Sequence, residues 1–133
     1  MPNEQTAPSE LEALFVEDNE TALEGLMRSA LEPVIGLTRE GRLITKSPFL
    51  KLADTSKILT VLLAKQAMTR LNLPSAKPQA TADQLEEICQ VPLKSCRENL
   101  SRLKAKRLLE KDDAGYFVPG WAISDVCQVL KAS

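Results

Sequence analysis

The strongest pattern of apolar and polar positions in this chain lies between Thr55 and Leu71, TSKILTVLLAKQAMTRL. Its apolar residues recur at helical spacing and form a wide stripe; they are Ile58, Leu59, Val61, Leu62, Leu63, Ala64 and Met68. A stripe of this width predicts a helix that is mostly buried. The next segment, Asn72 to Ala80, contains two prolines and is predicted to be a loop.

Two weaker helical patterns precede this segment, each opened by the spacing of a capping box. Ser9 to Glu12 opens a helix over about 9–17, and Thr21 to Glu24 opens one over about 21–32, with a single bent helix as the alternative. Residues 1–8 are polar and are predicted to be disordered. The chain therefore begins with a short helical extension that is rich in carboxylates.

Residues 34–45, VIGLTREGRLIT, carry apolar and β-branched side chains on both sides of a polar centre. This arrangement predicts a small β-hairpin that turns at Glu40-Gly41, although an irregular connector fits the same residues. Ser47-Pro48 is then expected to break the chain before the long helix.

Residues 81–119 contain a closely spaced series of short elements. Thr81 and Gln84 have capping-box spacing and open a short helix, which a turn at Gln90-Val91 ends. Pro92 suits the first position of a second helix, which is predicted to extend to about Arg107.

Two strands are predicted after this second helix, from Leu108 to Lys111 and from Tyr116 to Pro119. Gly115 can adopt the positive φ that the turn between them needs. A last short helix is predicted over Ala122 to Leu130. Trp121 is expected to pack this helix onto the core, with stacking on a ligand as the alternative.

This series resembles a winged helix-turn-helix domain over roughly Thr55 to Pro119. The residues that carry the resemblance are an apolar turn residue, three inward positions and a leucine pair entering the wing: Val91, Cys96, Leu100, Leu103 and Leu108-Leu109. MarR-like, ArsR-like and archaeal winged-helix regulators look similar here, but many have Gly where this chain has Arg107. The resemblance implies a mostly α fold with small β, in which a winged helix-turn-helix over 51–133 forms one compact unit with an acidic helical extension over 9–50.

The resemblance also implies binding to double-stranded DNA, with the second helix in the major groove. Eight polar residues lie on the outward arc of that helix or at its edges: Lys94, Ser95, Arg97, Glu98, Ser101, Arg102, Lys104 and Lys106. Its cations can neutralise phosphates, but cations on a solvated helix face are common, so charge alone does not decide the matter. Asp112 and Asp113 at the wing tip would repel phosphates, so we expect this wing to stay out of the minor groove.

The net charge of −1 hides an uneven distribution. Residues 1–50 hold four bases and nine carboxylates, whereas residues 51–133 hold thirteen bases and nine carboxylates. This asymmetry favours a polyanion-binding surface in the second part and a different partner for the first.

Helix-turn-helix proteins usually act as two-fold dimers, so we expect a homodimer, or a protein partner at the acidic extension. The apolar residues that would form this surface are Leu11, Leu14, Phe15, Leu23, Leu26 and Met27. The alternative is that they belong to the domain's own core, which is the commoner role of a stripe at helical spacing.

Composition argues against enzymatic, metal-binding and membrane-spanning roles. The 133 residues include no histidine, no Cys-x-x-Cys pair and no Gly-rich phosphate loop. Cys89, Cys96 and Cys127 are expected to be buried thiols in a reducing cytoplasm, and no apolar run is long enough to span a membrane. We therefore expect a cytoplasmic, non-enzymatic, DNA-binding transcriptional regulator without a cofactor, or alternatively a winged-helix protein-interaction module.

Overall fold

The long helix predicted over 55–71 extends from Asp54 to Arg70 in the computed structural model, which describes Leu11, Leu14 and residues 19–132. Six consecutive or near-consecutive apolar residues of this helix are fully buried: Ile58, Leu59, Val61, Leu62, Leu63 and Ala64. The described residues are mostly helical and contain two small antiparallel hairpins. This confirms the prediction of a mostly α chain with little β structure.

In chain order the elements are α1 (Glu20–Leu31), β1 (Ile35–Leu37), β2 (Leu43–Thr45), α2 (Ser47–Leu50), α3 (Asp54–Arg70), α4 (Ala82–Cys89), α5 (Leu93–Ala105), β3 (Glu110–Asp112), β4 (Gly115–Phe117) and α6 (Ile123–Ala132). Helix α3 lies at the centre and contacts α1, α4, α5 and α6. One continuous apolar cluster includes residues from Leu23 in α1 to Cys127 in α6. The part of the acidic extension that the structure describes from α1 onward is therefore packed on the same core as the helices that follow it.

The start of α1 differs from the prediction. Asn19, not Thr21, is the N-cap, because its Oδ1 accepts a hydrogen bond from the Ala22 N–H at 3.0 Å. Asn caps helices at least as well as Thr, so the earlier cap starts the helix and Thr21 lies within its first turn. The helix predicted over 9–17 lies outside the described residues, apart from Leu11 and Leu14.

The β-hairpin predicted within residues 34–45 is present, with Ile35 paired to Thr45 and Leu37 to Leu43. Gly41 has a φ of 93° in its turn, a value that glycine adopts without strain. The break expected at Ser47-Pro48 is instead the start of α2, because Pro48 occupies the first turn of that helix, where its missing N–H costs nothing.

The α4–α5 pair forms as predicted, with small shifts at its ends. The capping box at Thr81 and Gln84 is complete, and Gln90 ends α4 in the left-handed conformation at φ 59°. Pro92 is the N-cap of α5 rather than its first helical residue. The helix ends at Ala105, two residues before the predicted end, and such shifts are common at helix termini.

Arg107, at the position where the winged-helix resemblance leads to an expected Gly, adopts a φ of 65°. Its N–H bonds to the Lys104 carbonyl at 2.9 Å, and the Leu108 N–H bonds to the Leu103 carbonyl at 3.1 Å. This pair of bonds is a Schellman motif, in which the left-handed residue reverses the chain after the helix. The turn into β3 therefore forms without glycine, at the cost of a left-handed arginine.

Strands β3 and β4 are shorter than predicted and begin at Glu110 and Gly115. A third segment joins them, because the Ala80 and Tyr116 backbones exchange two hydrogen bonds of 2.9 Å each. Gly115 has a φ of 134°, and a Cβ there would lie 2.5 Å from the Ala80 carbonyl oxygen. Only glycine allows the end of the predicted loop to approach β4 this closely.

The expectation that Trp121 packs α6 onto the core is wrong. Trp121 lies in the 3-10 turn Gly120–Ala122 and is 50% exposed. The core contacts of this region come instead from its neighbour Ala122 and from the buried residues of α6: Ile123, Val126 and Cys127.

Candidate nucleic-acid interface

The outward face of α5 is polar and exposed, as the helical spacing predicted. Of the eight residues singled out on this helix, seven are exposed: Lys94, Arg97, Glu98, Ser101, Arg102, Lys104 and Lys106. Ser95 is the exception, since it is half-buried and its hydroxyl donates to Asp54 Oδ2 at 3.4 Å. Ser95 therefore lies toward the start of α3 rather than on the outward face.

The inward face of α5 contains a polar residue that the sequence analysis missed. Asn99 is 6% exposed and lies between the buried residues Cys96 and Leu103 on the same side of the helix. Thr55 of α3 donates its hydroxyl to Asn99 Oδ1, and Asn99 Nδ2 donates to the Ser95 carbonyl at 2.8 Å. The spacing of three from Cys96 and four from Leu103 already placed Asn99 inward, and a polar residue in such a position needs partners.

Asn99 also links the buried side of α5 to its exposed side. Arg102 Nη1 donates to Asn99 Oδ1 at 3.0 Å, so the same oxygen accepts from Thr55 and from Arg102. The guanidinium is thereby held in one orientation although the Arg102 side chain is exposed. An oriented guanidinium loses less side-chain entropy when it binds an anion than a freely rotating one.

Positive charge is concentrated on α5 and the turn that follows it. Residues 93–107 contain six bases, Lys94, Arg97, Arg102, Lys104, Lys106 and Arg107, and one acid, Glu98. In the part of the chain that the structure describes, the ion pairs are Arg28–Glu32 and Arg70–Glu20, so none involves these six bases. In that part of the chain, none of these six bases therefore has a carboxylate oxygen within ion-pair distance.

The β3–β4 turn beside this face is acidic. Asp112 Oδ2 accepts from Gln79 Nε2 and its Oδ1 accepts from the Ala114 N–H, both at 2.8 Å. The Gln79 amide, followed by the Ala114 N–H, lowers the pKa of Asp112 below its ordinary value, so this carboxylate stays charged. With Asp113 next to it, this turn repels phosphates, and the expectation that the wing stays out of a minor groove remains a prediction.

The N-terminal end of α4 offers little to an anion. The Thr81 N–H donates to Gln84 Oε1 at 2.9 Å, and the Gln84 N–H donates to Thr81 Oγ1 at 3.2 Å. The capping box therefore occupies amides that a phosphate would otherwise accept from. The exposed carboxylates of α4, Asp83, Glu86 and Glu87, add negative charge on the same helix.

The residues predicted to form a partner surface are divided by the structure. Leu23 and Met27 are 4% and 3% exposed and belong to the core of the chain, so they offer no surface to a partner. Leu26 is half-buried, whereas Leu11 and Leu14 are exposed. Phe15 lies outside the described residues.

The three cysteines are free and buried, as expected. Burial raises the pKa of the Cys89 thiol to about 12 and that of Cys127 to about 11, and it also raises the pKa of Cys96. These thiols are therefore protonated and unreactive near neutral pH. Among the described residues, no three His, Cys, Asp or Glu side chains cluster in a way that would hold a metal ion.

Comparison with models of protein families, with curated proteins and with solved structures gives no match for this chain. No helix in the described residues is both long and apolar enough to cross a membrane.

Proposed function

We propose that this chain is a winged helix-turn-helix transcriptional regulator of the cytoplasm that binds double-stranded DNA through α5. The observation that supports this most is the basic character of α5, since six bases and one acid lie on and just after the second of two helices that a short turn connects. The order α3, α4, α5, β3 and β4, with Ala80 paired to β4, is the order expected of a winged helix. In such domains the second helix of the pair enters the major groove.

The positions along α5 suggest separate roles. Lys94, Arg97 and Glu98 lie near its N-terminal end, where base edges are usually contacted, and Glu98 can accept a hydrogen bond from a cytosine amine. Arg102, oriented by Asn99, suits a phosphate or a guanine, and Lys104 and Lys106 suit phosphates. Ser101 lies between these two groups on the exposed face, and its hydroxyl can form a hydrogen bond with a base or with a phosphate.

The test is binding to random-sequence duplex DNA, followed by fluorescence anisotropy over a series of salt concentrations. Binding to random-sequence DNA depends on phosphate contacts, so Arg97 and Arg102 are both expected to contact phosphates in this assay. Reversing both charges, Arg97→Glu with Arg102→Glu, should therefore reduce the slope of log affinity against log salt by at least roughly 1.8, at about 0.9 per phosphate contact. The matched control is Arg39→Glu with Arg42→Glu, which makes the same charge change at two exposed positions of the β1–β2 turn. This control should keep most of the affinity and the slope.

Two results would contradict the proposal. One is the absence of binding by the unaltered protein even at low salt. The other is an equal loss in both double variants, because it would mean that net charge rather than the α5 face controls binding.

A winged-helix module that binds protein rather than DNA is the second candidate. It is favoured by the acidic wing tip at Asp112 and Asp113 and by the closed N-terminus of α4. Exposed apolar residues such as Leu11 and Leu14 would then contact the protein partner. They would equally contact the second copy in the homodimer that we propose for a DNA-binding form. Sedimentation equilibrium of the full chain distinguishes monomer from dimer.

A further inference from the structure

The C-terminal end of α5 carries a second feature, a cleft that shares Lys104 and Arg107 with the basic face. The left-handed turn at Arg107 reverses the chain and places the end of α5, the start of β3 and the turn before α6 around a small cleft. The cleft has a volume of about 160 Å³ and is lined by Lys104, Arg107, Leu109, Glu110 and Trp121. Its volume is below the roughly 300 Å³ at which drug-sized pockets begin, so it admits a single ring system rather than a folded segment.

Trp121 is the feature of this cleft that the fold does not explain. It is the one tryptophan of the chain and is 50% exposed, whereas the adjacent residue Ala122 and the cleft residue Leu109 are almost fully buried. Burying an indole is strongly favourable, so an indole left half in water has apolar area available to a ligand.

The charges around the indole indicate the class of that ligand. Lys104 and Arg107 provide two cations at the cleft, against one carboxylate, that of Glu110. An aromatic ring flanked by cations is the combination with which proteins bind nucleotides, since the base stacks on the ring and the phosphate pairs with the cations. A peptide partner without acidic side chains would gain from the indole but would have no use for both cations.

We propose that this cleft binds an unpaired nucleotide, with the base stacked on Trp121 and the phosphate held by Lys104 and Arg107. The base must be unpaired, because bases inside a duplex are already stacked and cannot present a face to the indole. The site therefore binds a single-stranded stretch or a strand end. It goes beyond the proposed duplex recognition and does not depend on it.

Because Trp121 is the sole tryptophan, its emission reports on the cleft directly. The probe is a twelve-residue oligothymidylate, chosen because it forms no duplex. Adding it at low salt should quench Trp121 emission and should protect the indole from acrylamide. The same oligonucleotide with a fluorescent label gives the affinity by anisotropy.

In that anisotropy assay, Trp121→Ala should weaken binding by roughly 5- to 150-fold, the range for losing one base–aromatic stack. Trp121→Phe keeps a ring and should retain most of the affinity. Arg107→Asn, which removes the charge and still tolerates a left-handed backbone, should weaken binding and its salt dependence. The matched control is Ile44→Ala, at an apolar position on the β2 strand that is 42% exposed.

Absence of oligothymidylate binding at low salt would overturn the proposal, whether or not duplex DNA binds in the separate test of Arg97 and Arg102. Binding that leaves Trp121 emission and its acrylamide accessibility unchanged would also overturn it. So would an equal loss in Trp121→Ala and Trp121→Phe, because it would assign Trp121 to the fold or to a protein contact. Circular dichroism of each variant shows that loss of binding is not loss of folding.

Discussion

The buried amide of Asn99 should contribute measurably to stability, and Asn99→Ala tests this. The substitution removes the oxygen that accepts from Thr55 and the amide that donates to the Ser95 carbonyl at 2.8 Å. A hydrogen bond contributes about 1 kcal/mol net, and a buried partner left unsatisfied costs about 1–3 kcal/mol. Thr55 is only half-buried, so water can reach its hydroxyl in part. The Ser95 carbonyl lies within α5, where the backbone N–H four residues later is its helical donor, so it is not left without a hydrogen bond. We therefore expect a loss of about 2–3 kcal/mol.

Urea unfolding followed by circular dichroism measures this loss, with Ser101→Ala on the exposed side of the same helix as the control. Exposed substitutions away from special features usually change stability by less than about 0.5 kcal/mol. A double-mutant cycle with Thr55→Val isolates the bond between α3 and α5, and we expect a coupling of about 1 kcal/mol.

A change below about 0.5 kcal/mol in Asn99→Ala, or strictly additive effects in the cycle, would refute the reasoning. Either result would mean that solvent satisfies both groups equally well. If α5 binds DNA as proposed, Asn99→Ala should also weaken binding, because Arg102 loses the oxygen that orients it.

Two further predictions concern backbone strain and proton linkage. Arg107→Gly should raise the free energy of unfolding by about 1 kcal/mol. The φ of Arg107 is 65°, and a left-handed conformation costs a non-glycine residue about 1–2 kcal/mol, which the greater unfolded-state entropy of glycine offsets in part. A loss of stability in urea unfolding would contradict this prediction. Burial raises the pKa of the Cys89 thiol from its usual 9.0 to about 12 in the folded protein. The stability that this protonated thiol contributes to the folded state is therefore complete below pH 9 and is lost as the pH rises toward 12. The free energy of unfolding should fall over that range by up to about 1.4 kcal/mol per pH unit more steeply in the unaltered protein than in Cys89→Ala, and identical slopes would contradict the prediction.

The parts of the fold that could be predicted are those with a local cause. The span of α3 follows from the width of its apolar stripe, and α4 begins at Thr81 because two side chains three residues apart cap each other. The β1–β2 hairpin depends on Gly41 between two short apolar runs. Where two local signals competed, as at Asn19 and Thr21, the spacing alone did not select the cap that the helix uses.

The parts that could not be predicted depend on contacts between distant segments. Ala80 carries no strand signal of its own and pairs with Tyr116 only because Gly115 lets the backbones meet. The partner of Asn99 lies 44 residues away, on α3. The exposure of Trp121 likewise depends on how the 3-10 turn before α6 packs beside the end of α5, and no sequence pattern predicts that packing.

The distribution of charge around α5 bears on how a polyanion would approach it. Uniform positive charge would bind phosphates in many orientations, but here Asp112 and Asp113 of the β3–β4 turn line one small pocket together with Arg97 of α5. Gln79 holds the Asp112 carboxylate in place, and the neighbouring helix α4 presents Asp83, Glu86 and Glu87. Each of these repels phosphate at distances within the Debye length of about 8 Å. A duplex would therefore be repelled where α5 lies next to α4 and the β3–β4 turn, which favours one docking orientation over many and would suit selective rather than indiscriminate binding.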